Sequence, residues 1–258
     1  MSDPVGGRVM IVGLGPGDPR LCTPQVAAAL GEATDLVGYG PYLDRVAAGI
    51  GGAAGAVRHA SDNREEIDRA RHALSLAAAG RRVAVVSSGD AGVFAMASAV
   101  FEAIEHGEPG WRALDVVVMP GISAMLAVAA RLGAPLGHDF CVLSLSDNLK
   151  PWPLVLKRLR AAAEAGFAIA LYNPVSRARP WQLGEALALL RAILPGTVPV
   201  VFATAISRPE EQVAIVPLAE ARGDQADMRT LVLVGTEATR LIPRPGATPW
   251  LYAPRGSR

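Results

Sequence analysis

Short apolar runs rich in β-branched residues alternate with longer alanine-rich stretches along most of the 258-residue chain, and no other feature constrains the fold as tightly. Strand-length runs fall at Val9–Val12, Asp35–Val37, Val57–His59, Val83–Val86, Asp115–Val118, Phe140–Leu143, Phe167–Tyr172, Val198–Phe202, Gln212–Val216 and Thr230–Val234. Most are continuously apolar, the pattern of strands covered by helices on both faces of a sheet. Between them, Thr23-Pro24 reads as an N-cap followed by proline in the first helical turn. Ser61-Asp62-Asn63 precedes a helical pattern over Arg64–Ala79, with apolar residues at 67, 70, 74 and 77 on one face. Further helices are expected over Ala91–Ile104, Ser123–Arg131, Pro153–Ala165 and Trp181–Leu194. Repeated strand–helix–strand units specify an α/β protein with mainly parallel sheets. The last three strands follow one another with little helix between them, so the later sheet is expected to be mixed.

Met119-Pro120-Gly121 breaks the chain after a strong strand and marks the expected boundary between two α/β domains, 7–119 and 122–242. The segment 243–258 carries prolines at 243, 245, 249 and 254 and is expected to be an irregular tail.

Composition removes several function classes. With 51% apolar and 19% charged residues the chain is not disordered. A net charge of +1 supplies no field for polyphosphate, which argues against nucleic-acid or membrane-surface binding. The only lysines, Lys150 and Lys157, do not follow a glycine loop, so a P-loop NTPase is excluded. Cys22 and Cys141 cannot form a disulfide framework, and no CxxC or HExxH spacing suggests a metal. The histidines at 59, 72, 106 and 138 are scattered and read as surface or satisfied core residues. The start, with Asp3 and a short apolar run, does not resemble a secretory signal. The uncharged run between Asp115 and Arg131 is only 15 residues and contains Pro120-Gly121, too short and too broken for a span. A soluble, cytoplasmic protein is expected.

The chemistry collects at strand ends. Five strands run into loops rich in Gly, Pro, Ser and Asn: Gly13–Asp18, Ser87–Gly92, Pro120–Ser123, Tyr172–Ser176 and Ala203–Ser207. Ligands of open α/β sheets bind beyond the carboxyl ends of the strands, so these loops predict a cleft there, between the two domains. The first loop superficially suggests a dinucleotide fingerprint and fails it. Asp18 stands where the third glycine belongs, Pro16 removes an amide donor, and no acid follows the second strand near Tyr39. Asp90 precedes a helix and reads either as its N-cap or as a carboxylate for a ligand ammonium. Ser123 reads as a cap, Asn173-Pro174 as a turn. Arg177, Arg179 and Arg208 beside these loops suit either a solvated surface or a substrate bearing several carboxylates.

These segments together carry a resemblance. GLGPGD at 13–18, SSGDAGVFAMA at 87–97, PGISAMLAVAARLGAPLGHDF at 120–140, LYNPVSRAR at 171–179 and VVFATAISRPEEQ at 200–212 resemble the tetrapyrrole methylases, in family order and over nearly the whole chain. The resemblance implies a two-domain, homodimeric methyltransferase using S-adenosyl-L-methionine. It assigns Pro16, Ser88, Gly89, Asp90, Val93, Phe94, Ser123, Ala124, Tyr172, Asn173, Ala203 and Thr204 to the cofactor. It gives Gly15, Gly17 and Asp18 to the tetrapyrrole, for whose carboxylates Arg177, Arg179 and Arg208 are candidates by their position beside the loops. VGYGPY at 37–42, SDNREEIDRA at 61–70 and the SSGDAGVF form are similar to the cobalamin-pathway branch that methylates precorrin-3B at carbon 17 and contracts the ring. Ser88–Gly92 departs from the GGDPF of uroporphyrinogen methylases. Asp18 and Ser88 are the candidate proton donors for the contraction. A cobalt-factor III substrate, another corrinoid methylase and a non-catalytic tetrapyrrole-binding module remain the alternatives.

Overall fold

The computed structural model describes residues 7–47, 49–50, 55–62 and 65–256. The chain divides into two compact units, Met1–Ser123 and Ala124–Arg258.

The first unit runs β1 (Arg8–Gly13), α1 (Pro24–Glu32), β2 (Asp35–Tyr39), α2 (Gly40–Ala47), β3 (Val57–Ser61), α3 (Glu66–Ala78), β4 (Arg82–Ser87), α4 (Met96–His106) and β5 (Asp115–Met119). Its five strands lie in the order β3-β2-β4-β1-β5, and every neighbouring pair is parallel. The continuous apolar strand pattern has a direct cause. Val9, Ile11, Val83 and Val85 pack under α3 and α4, while Met10, Val12, Ala84 and Val86 pack under α1 and α2. Each fully buried Val, Ile or Met among them contributes roughly 1.5–3 kcal/mol, so both faces of the central strands are held. Gly13 stands opposite Ser87, so β1 and β4 end level and deliver their loops side by side.

At the other end of this sheet Asp35 is almost fully buried. Its carboxylate accepts hydrogen bonds from Arg81 Nε at 2.7 Å, His59 Nε2 at 2.9 Å and Thr34 Oγ1 at 2.7 Å. His59 Nδ1 lies 3.0 Å from His72 Nε2, so two of the scattered histidines meet on one acidic anchor.

The second unit comprises α5 (Ala124–Leu132), β6 (Gly133–Ala134), β7 (Phe140–Ser144), α6 (Trp152–Glu164), β8 (Ala168–Tyr172), α7 (Gln182–Arg191), β9 (Pro199–Thr204), β10 (Gln212–Pro217), β11 (Thr230–Val234), β12 (Arg240–Arg244) and β13 (Ala247–Tyr252). The larger sheet has the order β10-β9-β11-β8-β7 and is mixed: β7 and β8 pair in parallel and the remaining neighbours are antiparallel. Ile169, Leu171, Val200, Phe202, Val232 and Val234 form a core with Leu159 of α6 and Leu187 of α7.

Four local readings change. The segment from 243 is not an irregular tail: β12 and β13 form an antiparallel hairpin, and β13 pairs in parallel with β6. Pro245-Gly246 makes its turn, with Gly246 at φ +68°, and Arg244 stacks 3.8 Å over the Trp250 ring. Helix α4 begins at Met96 rather than Ala91, because residues 91–95 are spent in a loop with Phe94 at φ +51°. Helix α2 arises at Gly40–Ala47, a glycine- and proline-bearing stretch for which the sequence pattern names no element. Helix α3 begins at Glu66, and Asn63 and Arg64 of the expected helix entry lie outside the described residues. Thr23 caps α1 as expected, its Oγ1 accepting the Val26 amide at 3.3 Å. No helix among the described residues is long and apolar enough to cross a membrane.

Candidate functional site

In the first unit, three strand-end loops meet along a glycine seam. Gly15 N donates to Gly89 O at 3.0 Å, and Gly89 N returns a bond to Gly15 O at 2.9 Å. A Cβ at Gly13 would stand 2.5 Å from Gly89 O, and one at Gly121 would overlap both Gly89 O and Gly13 O. The loops after β1, β4 and β5 therefore touch backbone to backbone, which only glycine permits. Gly15 also needs its residue type, having φ +75° and no room for a Cβ against Leu21 O.

Asp90 staples this seam. Its Oδ1 accepts the Gly92 amide at 2.8 Å and its Oδ2 the Gly121 amide at 2.9 Å. Asp90 is therefore not the cap of α4, whose first turn lies six residues downstream. That helix is held instead by buried Ser87, whose Oγ accepts the Met96 amide at 3.3 Å. Val93 and Phe94 follow in the same loop, and Phe94 is 51% exposed in a left-handed conformation, a strained placement for an aromatic.

The two candidate proton donors are held differently. Asp18 accepts the Arg20 amide at 2.9 Å and pairs with the Arg20 guanidinium at 2.6 Å. The Arg20 side-chain hydrogen bonds, joined by its backbone amide, lower the Asp18 pKa below the ordinary carboxylate value. The pair with Arg20 thus favours the anionic form of Asp18, the form that accepts a proton rather than giving one. Ser88 is half-buried and its oxygen accepts Arg45 Nη1 at 2.9 Å. Arg45 Nη2 simultaneously donates to Gly15 O at 3.1 Å. Sequence reasoning missed Arg45, because it lies on α2, 30 residues from Gly15 and outside every recognisable motif. Ser123 is 3% exposed, and its hydroxyl has no hydrogen-bond partner within the described residues.

In the second unit the expected residues again sit at strand ends. Tyr172 closes β8, and its hydroxyl accepts the Met125 amide at 3.1 Å in the first turn of α5. Asn173 adopts φ +51° and donates from Nδ2 to buried Ser144 Oγ at 2.9 Å, tying the ends of β7 and β8. Thr204 Oγ1 lies 2.7 Å from Thr230 Oγ1, directly after buried Ala203. Ala205 and Ser207 follow at φ +50° and +62°, two left-handed residues that the Glu211 carboxylate steadies by accepting the Ser207 amide at 2.7 Å. Glu211 is itself held by Arg131, Nε to Oε1 at 2.9 Å and Nη2 to Oε2 at 3.0 Å.

The three arginines separate. Arg179 is committed to Asp147 at 2.8 Å and to Asn148 Oδ1 at 2.6 Å, so it tethers two loops and is not a free carboxylate receptor. Arg177 is exposed at the tip of the turn closed by Ser176 and Arg179. Arg208 is half-buried in the steadied loop after β9.

Comparison with known proteins decides the family. The model of the Tetrapyrrole (Corrin/Porphyrin) Methylases matches residues 8–222. The chain belongs to the tetrapyrrole methylases. It is 55% identical over 249 residues to a precorrin-3B C(17)-methyltransferase from Sinorhizobium sp, covering 96% of both chains. The crystal structure of the methyltransferase CobJ superposes with a TM-score of 0.89 at 52% identity, covering 96% of this chain and 100% of that one. A uroporphyrin-III C-methyl transferase from Thermus thermophilus, solved with S-adenyl homocysteine, gives 0.66 at 26% identity, covering 89% and 97%. The chain is accordingly a methyltransferase of the cobalamin-pathway tetrapyrrole methylases. Its residues suit the family's cofactor chemistry. A buried, unsatisfied Ser123 hydroxyl asks for a polar ligand atom. The Asp90 carboxylate, with one amide on each oxygen, retains lone pairs for a cation.

Proposed function

We propose that this chain is an S-adenosyl-L-methionine-dependent C-methyltransferase that methylates precorrin-3B at carbon 17 and contracts the macrocycle to precorrin-4. The observation carrying this reading is the end-to-end likeness to the Sinorhizobium relative, at 55% identity over 96% of both chains.

The cofactor supplies an electrophilic methyl group on a sulfonium. The protein's task is then positioning, because in-line displacement needs alignment of donor and nucleophile more than a strong acid or base. In the first unit Pro16, Ser88, Gly89, Asp90, Val93, Phe94 and Ser123 would hold the cofactor. Asp90 would meet the methionine ammonium with the lone pairs its two amides leave. In the second unit Ala124, Tyr172, Asn173, Ala203 and Thr204 would complete the set. The loop Gly15, Gly17 and Asp18, with Arg177 and Arg208, would receive the tetrapyrrole. Asp18 is held there toward its anionic form by Arg20, and Ser88 is the donor proposed to assist the contraction. The protein works as a cytoplasmic homodimer in this reading, without nucleic acid or membrane, and sedimentation equilibrium should return twice the 26.8 kDa chain mass.

Calorimetry with S-adenosylhomocysteine and NAD, followed by turnover of precorrin-3B and cobalt-factor III, tests the proposal. Binding of the former nucleoside, none of NAD, and methylation of the metal-free ring are expected. Turnover of cobalt-factor III alone would reassign the substrate, and cofactor binding without turnover of either would leave a binding module.

A further inference from the structure

Arg45 joins the two loops that end β1 and β4, donating to Ser88 Oγ and to Gly15 O at 2.9 and 3.1 Å. Those loops are already paired through the reciprocal amides of Gly15 and Gly89, so the guanidinium is not required to bring them together. What it adds is chemical. The Ser88 oxygen is occupied by a charged donor, while its hydroxyl hydrogen bonds to no group among the described residues. A hydroxyl whose oxygen accepts from a cation is polarised into a stronger donor. It also loses rotational freedom, because one lone pair is fixed. Asp18, the other polar side chain considered for this part, is already paired with Arg20.

We propose that Arg45 is a positioning residue that fixes Ser88 with its hydroxyl hydrogen turned toward an oxygen of the tetrapyrrole, a carboxylate or ring hydroxyl. The proposal rests on the methyltransferase reading above. It accounts for an arginine that lies outside the family's recognisable segments, and for the clamp's choice of a serine side chain as one acceptor. Lysine could not do the same work, since one ammonium on a flexible stem does not present two parallel donors in a fixed fork.

The test is a double-mutant cycle on the full chain with precorrin-3B as substrate. Ser88→Ala and Arg45→Gln should each lower kcat by roughly 10- to 100-fold, the range of a charge-assisted hydrogen bond. The double variant should lose no more than Ser88→Ala, because Arg45 acts through that hydroxyl. Arg45→Lys should recover part of the loss. Arg45→Gln should bind S-adenosylhomocysteine as the wild type does, which a general collapse of the loops would not allow. Additive losses in the double variant, wild-type kcat in Arg45→Gln, or its loss of S-adenosylhomocysteine affinity would each overturn the proposal. Should Arg45→Gln fail to fold, the same cycle is run with Arg45→Lys, and additivity there overturns the proposal equally. A wild-type protein that binds S-adenosylhomocysteine but never methylates precorrin-3B removes the parent reading and this one with it. An additive cycle in an active enzyme removes only the role of Arg45.

Discussion

Asp90 holds two amides from two loops, Gly92 and Gly121, on its two oxygens. Asparagine has one acceptor where aspartate has two, so Asp90→Asn must turn its amide group toward one of those N–H donors. Had Asp90 been a helix cap, asparagine would have served about as well. As a two-oxygen staple it should lose about 1–2 kcal/mol, seen as a melting temperature lower by roughly 2–8 °C, with weaker S-adenosylhomocysteine binding. An unchanged melting temperature would show that the staple carries little energy. Gly121→Ala offers a second check, because the added methyl must push the β5 loop off Gly89 O and Gly13 O. Cofactor affinity should drop at least ~10-fold by calorimetry, the cost of displacing a loop by even about 1.4 kcal/mol. Among the arginines, Arg177→Ala and Arg208→Ala should raise the substrate KM, whereas Arg179→Ala should act mainly on stability through its lost Asp147 tether. An unchanged KM in the first two would make them surface residues. The glycines and polar loop residues were legible because close approach and left-handed backbone restrict residue choice. Arg45 was not, since its role depends on where α2 carries it in space.

At the scale of elements, β3 is the edge of the first sheet, and Asp35 at the start of β2 anchors it through His59 while also binding Arg81. Burial is the largest influence on this carboxyl and would raise its pKa. The hydrogen bonds from Arg81, His59 and Thr34 outweigh it and bring the value from 3.8 down to about 2. A depressed folded pKa contributes stability that is present above the unfolded value and lost as pH falls through the folded one. Urea unfolding between pH 5 and pH 2 should therefore lose on the order of 2 kcal/mol, centred near pH 2–4, that Asp35→Asn does not lose. Equal acid slopes in the two proteins would contradict this anchor. The ten principal strands were readable because both faces of each central strand are buried or nearly so. The hairpin β12–β13 was not, because its prolines suggested an irregular end. Its one readable mark was Pro245-Gly246, whose φ requirements fit a tight turn.

At the scale of the whole molecule, the two α/β units and the tetrapyrrole methylase membership were both legible, the first from strand–helix alternation and the second from five segments in family order. Which ring is methylated, and where, is chemistry rather than fold, and loops on this scaffold serve more than one tetrapyrrole. The most direct measurement uses S-adenosylmethionine carrying a carbon-13 methyl group, incubated with the protein and metal-free precorrin-3B, with the product read by mass and carbon NMR. One labelled methyl group on carbon 17 of a ring-contracted product is the expected result. A label on any other carbon, or transfer only when the ring already holds cobalt, would contradict the proposed reaction.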